Sequence, residues 1–246
     1  METLGERQSA VLRAVVADYI RTGEPVGSAA VAARHPMGVS AATIRNDMAA
    51  LEELGFLHQP HTSSGRIPTD RGYRFYVDAL PGRHALPSRW RRSIDRFFGQ
   101  PPPDPGEVIR GTALLLSRIT RYGAVAQPPR STHVVVMGTA NIASEETFER
   151  RETVRGLLEI LEEERDVLDL LRRLVAGSEV VVRIGAENPI SALHEVSIVA
   201  APYVGRGRTL GAIAVLGPTR MHYRESISTV SSVAEHLGRT IERLAG

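Results

Sequence analysis

The stretch "VSAATIRNDMAALEELGFLHQPHTSSGR", Val39 to Arg66, decides how the chain is read: it sets a helix-length apolar stripe directly before a hydroxyl-rich loop that closes on one arginine. Ser40 is placed to cap a helix, with Val39 before it and Ile44 after it at the positions of a hydrophobic staple. On a helical wheel Ile44, Met48 and Leu51 share one face, which Leu54 extends. Ala42, Asn46 and Ala49 point the opposite way, with Thr43 and Arg45 on the flanks. Gly55 ends the helix, and "FLHQ" and "RIPT" can pair as two short strands around the turn "PHTSSG". Pro60 and Pro68 are tolerable only in edge strands, which suits a two-stranded wing.

Upstream, Val11, Leu12, Val15, Val16, Tyr19 and Ile20 recur at helical spacing and mark a first helix that ends near Gly23. A second, short helix runs from Ser28, the expected cap, to His35, where Pro36 stops it. Helix, short turn and capped helix with a small, polar outer face make a helix-turn-helix pattern, in which the second helix enters the DNA major groove. Small outer residues let the backbone approach the base edges; Arg45 can donate to guanine or phosphate and Asn46 can pair with adenine. The candidate DNA-binding residues are therefore Ser28, Ser40, Ala42, Thr43, Arg45 and Asn46 on the helices. On the wing they are His61, Thr62, Ser63, Ser64, Gly65 and Arg66, equipped for phosphate contact or minor-groove insertion. The same pattern also serves protein–protein modules. Thr69 caps a further helix whose Tyr73, Tyr76, Val77 and Leu80 read, with Phe56, as core. The histidines at 35, 58 and 61 lack a second ligand type at metal spacing.

The chain has 246 residues, 42% hydrophobic and 24% charged, the balance of a globular protein of one large or two ordinary domains. It has no cysteine, which excludes disulfides, thiolate metal sites and thiol nucleophiles and suggests a reducing compartment. No signal-peptide pattern opens it, and no apolar run approaches the ~18 residues needed to cross a bilayer, so a cytoplasmic location without membrane contact is expected. All thirty basic residues are Arg, and the net charge is +2. Residues 81–130 hold nine Arg against three acids, whereas residues 1–80 hold eight against nine. DNA binding must then rest on local placement of charge rather than on a basic domain.

The segment "PGRHALPSRWRRSIDRFFGQPPPDPG", Pro81 to Gly106, reads as a basic Pro/Gly-rich linker with one short helix, Ser88 to Phe98. It separates a unit over 1–80 from a mixed region over 107–246, so an α+β chain is expected. In the latter, helices are expected near Val108–Tyr122, Ser144–Val175 and Ser226–Leu244. Strands are expected at "THVVVMG" (Thr132–Gly138), "EVVVRIG" (Glu179–Gly185), "EVSIVAAPYV" (Glu195–Val204) and "TLGAIAVLGP" (Thr209–Pro218), the last two joined by the hairpin signal "GRGR". The row Val154, Leu157, Leu158, Leu161, Val167, Leu168, Leu171 and Leu174 offers either a dimer interface or cover for the domain's own sheet.

Enzymatic readings fare poorly. No phosphate-cradling glycine motif precedes a helix, and nothing places a nucleophile beside Glu187 and His194. No catalytic residue, metal or cofactor is assigned. Arg89, Arg91, Arg92 and Arg96 could track phosphates or form a solvated face.

Several segments resemble one family. "TGEPVGS", "GVSAATIRNDMAALEELGFLHQPHTSSGRIPTDRGYRFYVD" and, downstream, "VRIGAENP", "SIVAAPY" and "LGAIAVLGPTRMHY" closely resemble the heat-inducible transcription repressors of bacteria, the HrcA family. The resemblance covers about residues 4–80 and 131–244, and the run "HTSSGRIPTD" is very specific. It implies an N-terminal winged helix-turn-helix domain and a C-terminal GAF-like α/β domain. It also implies a dimeric repressor of chaperone genes on an inverted-repeat operator of double-stranded DNA, with chaperonin as a further partner that helps keep it active. Family members carry an inserted dimerisation module between the helix before "GAVAQPP" and the strand "THVVVMG"; here only Arg130 and Ser131 join "GAVAQPP" to that strand. That departure bears on the usual dimer interface and on chaperonin coupling. The alternative function is a ligand-responsive regulator sensing a small molecule through the GAF-like domain, with Arg183, Asn188, Arg220 and Tyr223 lining a pocket.

Overall fold

The structure, a computed structural model, describes all residues except 1–3, 81–84, 101–103, 145–147, 149–150, 176, 178 and 245–246. It falls into two compact units that divide at Pro81/Gly82. The segment expected as a linker is thereby assigned differently: its helix belongs to the second unit. The prolines 101–103 of that segment lie outside the described residues.

In the first unit α1 (Glu6–Thr22), α2 (Ser28–Arg34) and α3 (Ala41–Glu53) precede a hairpin of β1 (Leu57–His58) and β2 (Ile67–Pro68), and α4 (Asp70–Asp78) follows. The caps that sequence pattern indicates for α3 and α4 are present: the Ser40 side chain accepts from the Thr43 N–H, and that of Thr69 from the Gly72 N–H. Such a cap contributes about 1 kcal/mol. Val11, Leu12, Val15, Val16, Ile44, Met48 and Leu51 are buried from α1 and α3 together with Tyr73 of α4. Removing Leu51 to Ala from such a core costs about 2–5 kcal/mol. Helix α2 differs from expectation at its start. Ser28 is the first helical residue and is buried, and Gly27 in extended conformation is the cap. The reason is tertiary: Val26 forms an antiparallel bridge with Arg66, which holds the chain extended up to Gly27.

In the second unit α5 (Ser88–Gly99) and α6 (Pro105–Thr120) lead into β3 (Gly123–Ala126), β4 (Val135–Met137) and α7 (Thr139–Ile142). Then come α8 (Arg151–Glu162), α9 (Glu164–Leu174), β5 (Val181–Ile184), β6 (Val196–Gly205), β7 (Arg208–Pro218) and α10 (Tyr223–Leu244). The five strands form one antiparallel sheet in the order β4-β3-β7-β6-β5. Residues on β6 and β7 are buried on both faces, which is why these strands read as continuous apolar runs. One face, through Val125, Ile198, Ala200, Ala212, Ala214 and Leu216, packs against α8 and α9; α6 and α10 pack on the sheet as well, and alternation places them on the other face.

Two expectations change here. The helix expected over Ser144–Val175 is two helices separated at Glu163, which is extended (φ −94°, ψ 91°); residues 145–147 and 149–150 lie outside the described residues. Glu163, Glu164 and Arg165 interrupt the apolar row, and the break lets both halves reach the sheet. The row's members Leu157, Leu161, Val167, Leu171 and Leu174 belong to the unit's own core, with Val154 and Leu158 half-buried against it, so most of the row covers this sheet. Strand β3 is additional. Its four residues, "GAVA", show neither alternation nor β-branched enrichment, yet they sit between β4 and β7 as a central strand.

Candidate nucleic-acid interface

Along α3 the buried positions Ile44, Asp47, Met48 and Leu51 alternate with an outer face on which Ala42, Arg45 and Asn46 are exposed and Thr43 is half-buried. Among the described residues neither Arg45 nor Asn46 has a side-chain partner, so a guanidinium and a carboxamide stand unpaired in water beside a methyl-sized neighbour. Ser40 Oγ, besides capping the helix, lies 3.0 Å from Thr43 Oγ1. The helix is held from behind by an ion pair absent from any linear pattern. Buried Asp47 receives Arg7 Nε at 2.7 Å and Nη2 at 3.0 Å, a bidentate bond that joins the first turn of α1 to α3.

A second electrostatic joint fixes α1 to α2. Asp18 is buried and lies against Arg21 (3.0 Å), Arg34 (3.2 Å) and His35 (3.4 Å). Burial opposes ionisation of this carboxyl, but the hydrogen bonds from Arg21 and Arg34, with His35 close by, together outweigh it and hold its pKa below the ordinary 3.8.

The hairpin carries three exposed residues at its tip, His61, Thr62 and Ser63, while Ser64, Gly65 and Arg66 are half-buried. The structure separates these six by role. Ser64 Oγ donates to the His61 carbonyl at 2.7 Å and accepts from the His61 N–H, so its hydroxyl is spent inside the turn. Gly65 sits against the backbone of Pro25 and Val26: a Cβ there would lie 2.4 Å from the Val26 carbonyl carbon. Arg66, expected as a permanent cation for phosphate contact, is also tied internally. Its side chain is 14% exposed and its Nε donates to Glu52 Oε2 at 2.9 Å, so it ties the hairpin to the last turn of α3. Glu52 also accepts the Gln59 N–H through Oε1 at 3.0 Å, and Gln59 Nε2 donates to the carbonyls of Thr62 and Ser64. Glu52, Gln59, Asp47 and Arg7 were not legible as site residues, because isolated polar and charged residues in sequence read as solvated until the fold supplies their partners. Ser28, buried two residues beyond the Val26–Arg66 bridge, leaves the exposed set.

Elsewhere, the residues expected to line a ligand pocket are mostly engaged internally. Asn188 Nδ2 donates to the carbonyls of Gly185, Leu193 and Val196, and the Tyr223 hydroxyl bonds to Thr219 and Ser197, whereas Arg183 is exposed on β5. Among the described residues no group of His, Asp and Glu has metal-site geometry, and no helix is long and apolar enough to cross a membrane.

The family model of the HrcA protein C-terminal domain matches residues 130–227. The heat-inducible transcription repressor HrcA of Pelotomaculum thermopropionicum is 32% identical over 340 aligned positions covering 98% of both chains. That of Thermobifida fusca is 33% identical over 337 positions covering 97% of both. Both alignments are longer than the 246 residues of this chain, so these relatives carry residues that have no counterpart here. A crystal structure described as a hypothetical protein superposes with a TM-score of 0.84 over 98% of this chain and 100% of the other at 21% identity, and shares the fold. With relatives above 30% identity along nearly the whole of its length, the chain belongs to the HrcA family of heat-inducible transcription repressors.

Proposed function

We propose that the first unit is a winged helix-turn-helix that seats α3 in the major groove of double-stranded DNA, and that the chain represses heat-shock chaperone genes from an inverted-repeat operator. The observation that carries this reading is the outer face of α3. Its capped N-terminal half presents Ala42, Thr43, Arg45 and Asn46 to solvent, beside a hairpin clamped to the same helix through Glu52. Arg45 and Asn46 read bases, and His61, Thr62 and Ser63 approach phosphates or the minor groove. Ser40, Ser64, Gly65 and Arg66 position these contacts.

A good bidentate base contact discriminates by only ~1–3 kcal/mol, so one unit alone selects poorly. Two copies related by a two-fold axis read both halves of an inverted repeat and roughly double that free energy. The working form is therefore a homodimer, and chaperonin acts on it as the partner that keeps it active. The five-stranded antiparallel sheet with helices on it serves as a GAF-like regulatory and dimerisation domain. A gel shift of the purified chain on its own chaperone promoters, with and without chaperonin, tests the reading. A shift that a dyad-scrambled duplex does not compete away is expected; equal binding to both duplexes sinks it.

A further inference from the structure

The "GRGR" hairpin has no part in the DNA-binding reading, and it carries an unusual residue. Gly205 pairs with Arg208, so the loop is Arg206–Gly207, and both residues have positive φ (50° and 72°). This is the type I′ arrangement, in which Asn, Asp or Gly is the ordinary first residue. An arginine in the left-handed region is uncommon and strained, as it is at Arg121 and Arg130, and such strain persists only where the surrounding structure holds it. Arg206 lines an open cleft of about 690 Å³ together with Asp95, Phe98, His236, Arg239 and Arg243.

The cleft is preorganised. A Cβ on Gly238 would lie 2.2 Å from the Val204 carbonyl oxygen, and one on Gly205 would meet Leu210 at 2.8 Å and Glu242 at 3.4 Å. The end of β6 is thus pressed directly onto α10, which fixes Arg206 relative to Arg239 and Arg243. The floor is aromatic: the His236 side chain, 26% exposed, lies against buried Phe98, with the rings 5.5 Å apart and inclined by 30°. His236 is oriented by Nδ1, which donates to the Ser232 carbonyl at 2.8 Å. The three arginines are weakly committed. Arg206 reaches Glu242 only at 3.9 Å, Arg243 donates to the neutral Thr240 hydroxyl, and Arg239 has no partner among the described residues. Asp95, 3.6 Å from His236, is the other carboxylate of the cleft.

We propose that this cleft binds a small oxyanion carried on a flat unsaturated body, an aryl carboxylate or aryl phosphate. The His236 ring, backed by Phe98, receives the body, and Arg206, Arg239 and Arg243 receive the charge. Planar guanidinium groups suit both oxyanions, and the proposal stands whether or not the chain binds DNA.

Calorimetric titration of the full chain with benzoate, phenyl phosphate and inorganic phosphate tests it. One aryl probe is expected to bind one per chain with a Kd of about 1 mM or tighter, and at least tenfold more tightly than inorganic phosphate. The better probe distinguishes carboxylate from phosphate as the charge. Failure of both aryl probes, or equal binding of inorganic phosphate, overturns the proposal. The variant Arg206→Gly relieves the left-handed strain, so its Tm should rise by about 2–4 °C while the probe binds at least tenfold more weakly. Unchanged affinity in Arg206→Gly and Arg239→Ala also overturns it.

Discussion

Arg45, Asn46 and Arg66 are three polar residues within one short stretch, yet their surroundings assign them different physics. Arg45 and Asn46 are exposed and unpaired, whereas Arg66 is largely covered and bonded to Glu52. Replacing Asn46 or Arg45 by Ala should relax preference at one base position per half-site by ~1–3 kcal/mol, read by footprinting on operator variants. Glu52→Gln keeps an acceptor for Gln59 but loses the charge facing Arg66. It should weaken operator binding by ~1 kcal/mol on every sequence alike, because it loosens the hairpin and leaves Arg45 and Asn46, the proposed base contacts, intact. A changed base preference in Glu52→Gln would contradict that assignment. Asp18 gives a pH prediction. Its folded pKa lies below the ordinary 3.8, so its contribution to stability is fully present above that value and is lost as pH falls through the folded pKa. Asp18→Asn should cost about 1–3 kcal/mol at neutral pH and flatten the acid limb of the melting curve below about pH 4, as followed by circular dichroism.

At the scale of elements, the hairpin is short and owes its place to what it touches. β1 and β2 pair through only two residues each, Leu57 with Pro68 and His58 with Ile67, too few for independent stability. The Val26–Arg66 bridge, the Glu52 carboxylate and the close approach at Gly65 supply the rest. Gly65→Ala should therefore push the hairpin off the Pro25–Val26 backbone and cost about 1–3 kcal/mol in thermal unfolding. The pair α8 and α9 shows the opposite case, where amphipathic faces are largely absorbed by the sheet beneath. Substituting outward residues such as Arg155 and Glu159, which pair with each other at 2.8 Å, should leave the oligomeric state unaltered in sedimentation.

For the whole molecule, the proposed function requires two chains per operator. Scrambling one half of an inverted repeat should weaken binding at least a hundredfold, because only one α3 then meets its bases. The four arginines of α5, Arg89, Arg91, Arg92 and Arg96, are exposed, with Arg89 lying 4.5 Å over the Trp90 ring. If they meet phosphates, changing them to Ala lowers the slope of log affinity against log salt by about 0.9 for each phosphate no longer neutralised. An unchanged slope assigns them to solvent.

What is local was legible in the amino-acid pattern. Apolar period, Ser40 and Thr69 caps and Gly55 gave α3, its hairpin and α4, since caps and helical faces act over three or four residues. The runs of β6 and β7 were legible because strands buried on both faces must be apolar throughout. The outer face of α3 was legible for the same reason that its inner face was. Only the tertiary structure decided that Arg66 is an anchor, since Glu52 is fourteen residues away. It also decided that Gly27 rather than Ser28 caps α2 and that "GAVA" is a central strand. Each depends on a partner supplied from a distant part of the chain. A residue's local pattern sets the conformation it can adopt, but the free energy of a charge or a short strand is set by what the fold brings against it.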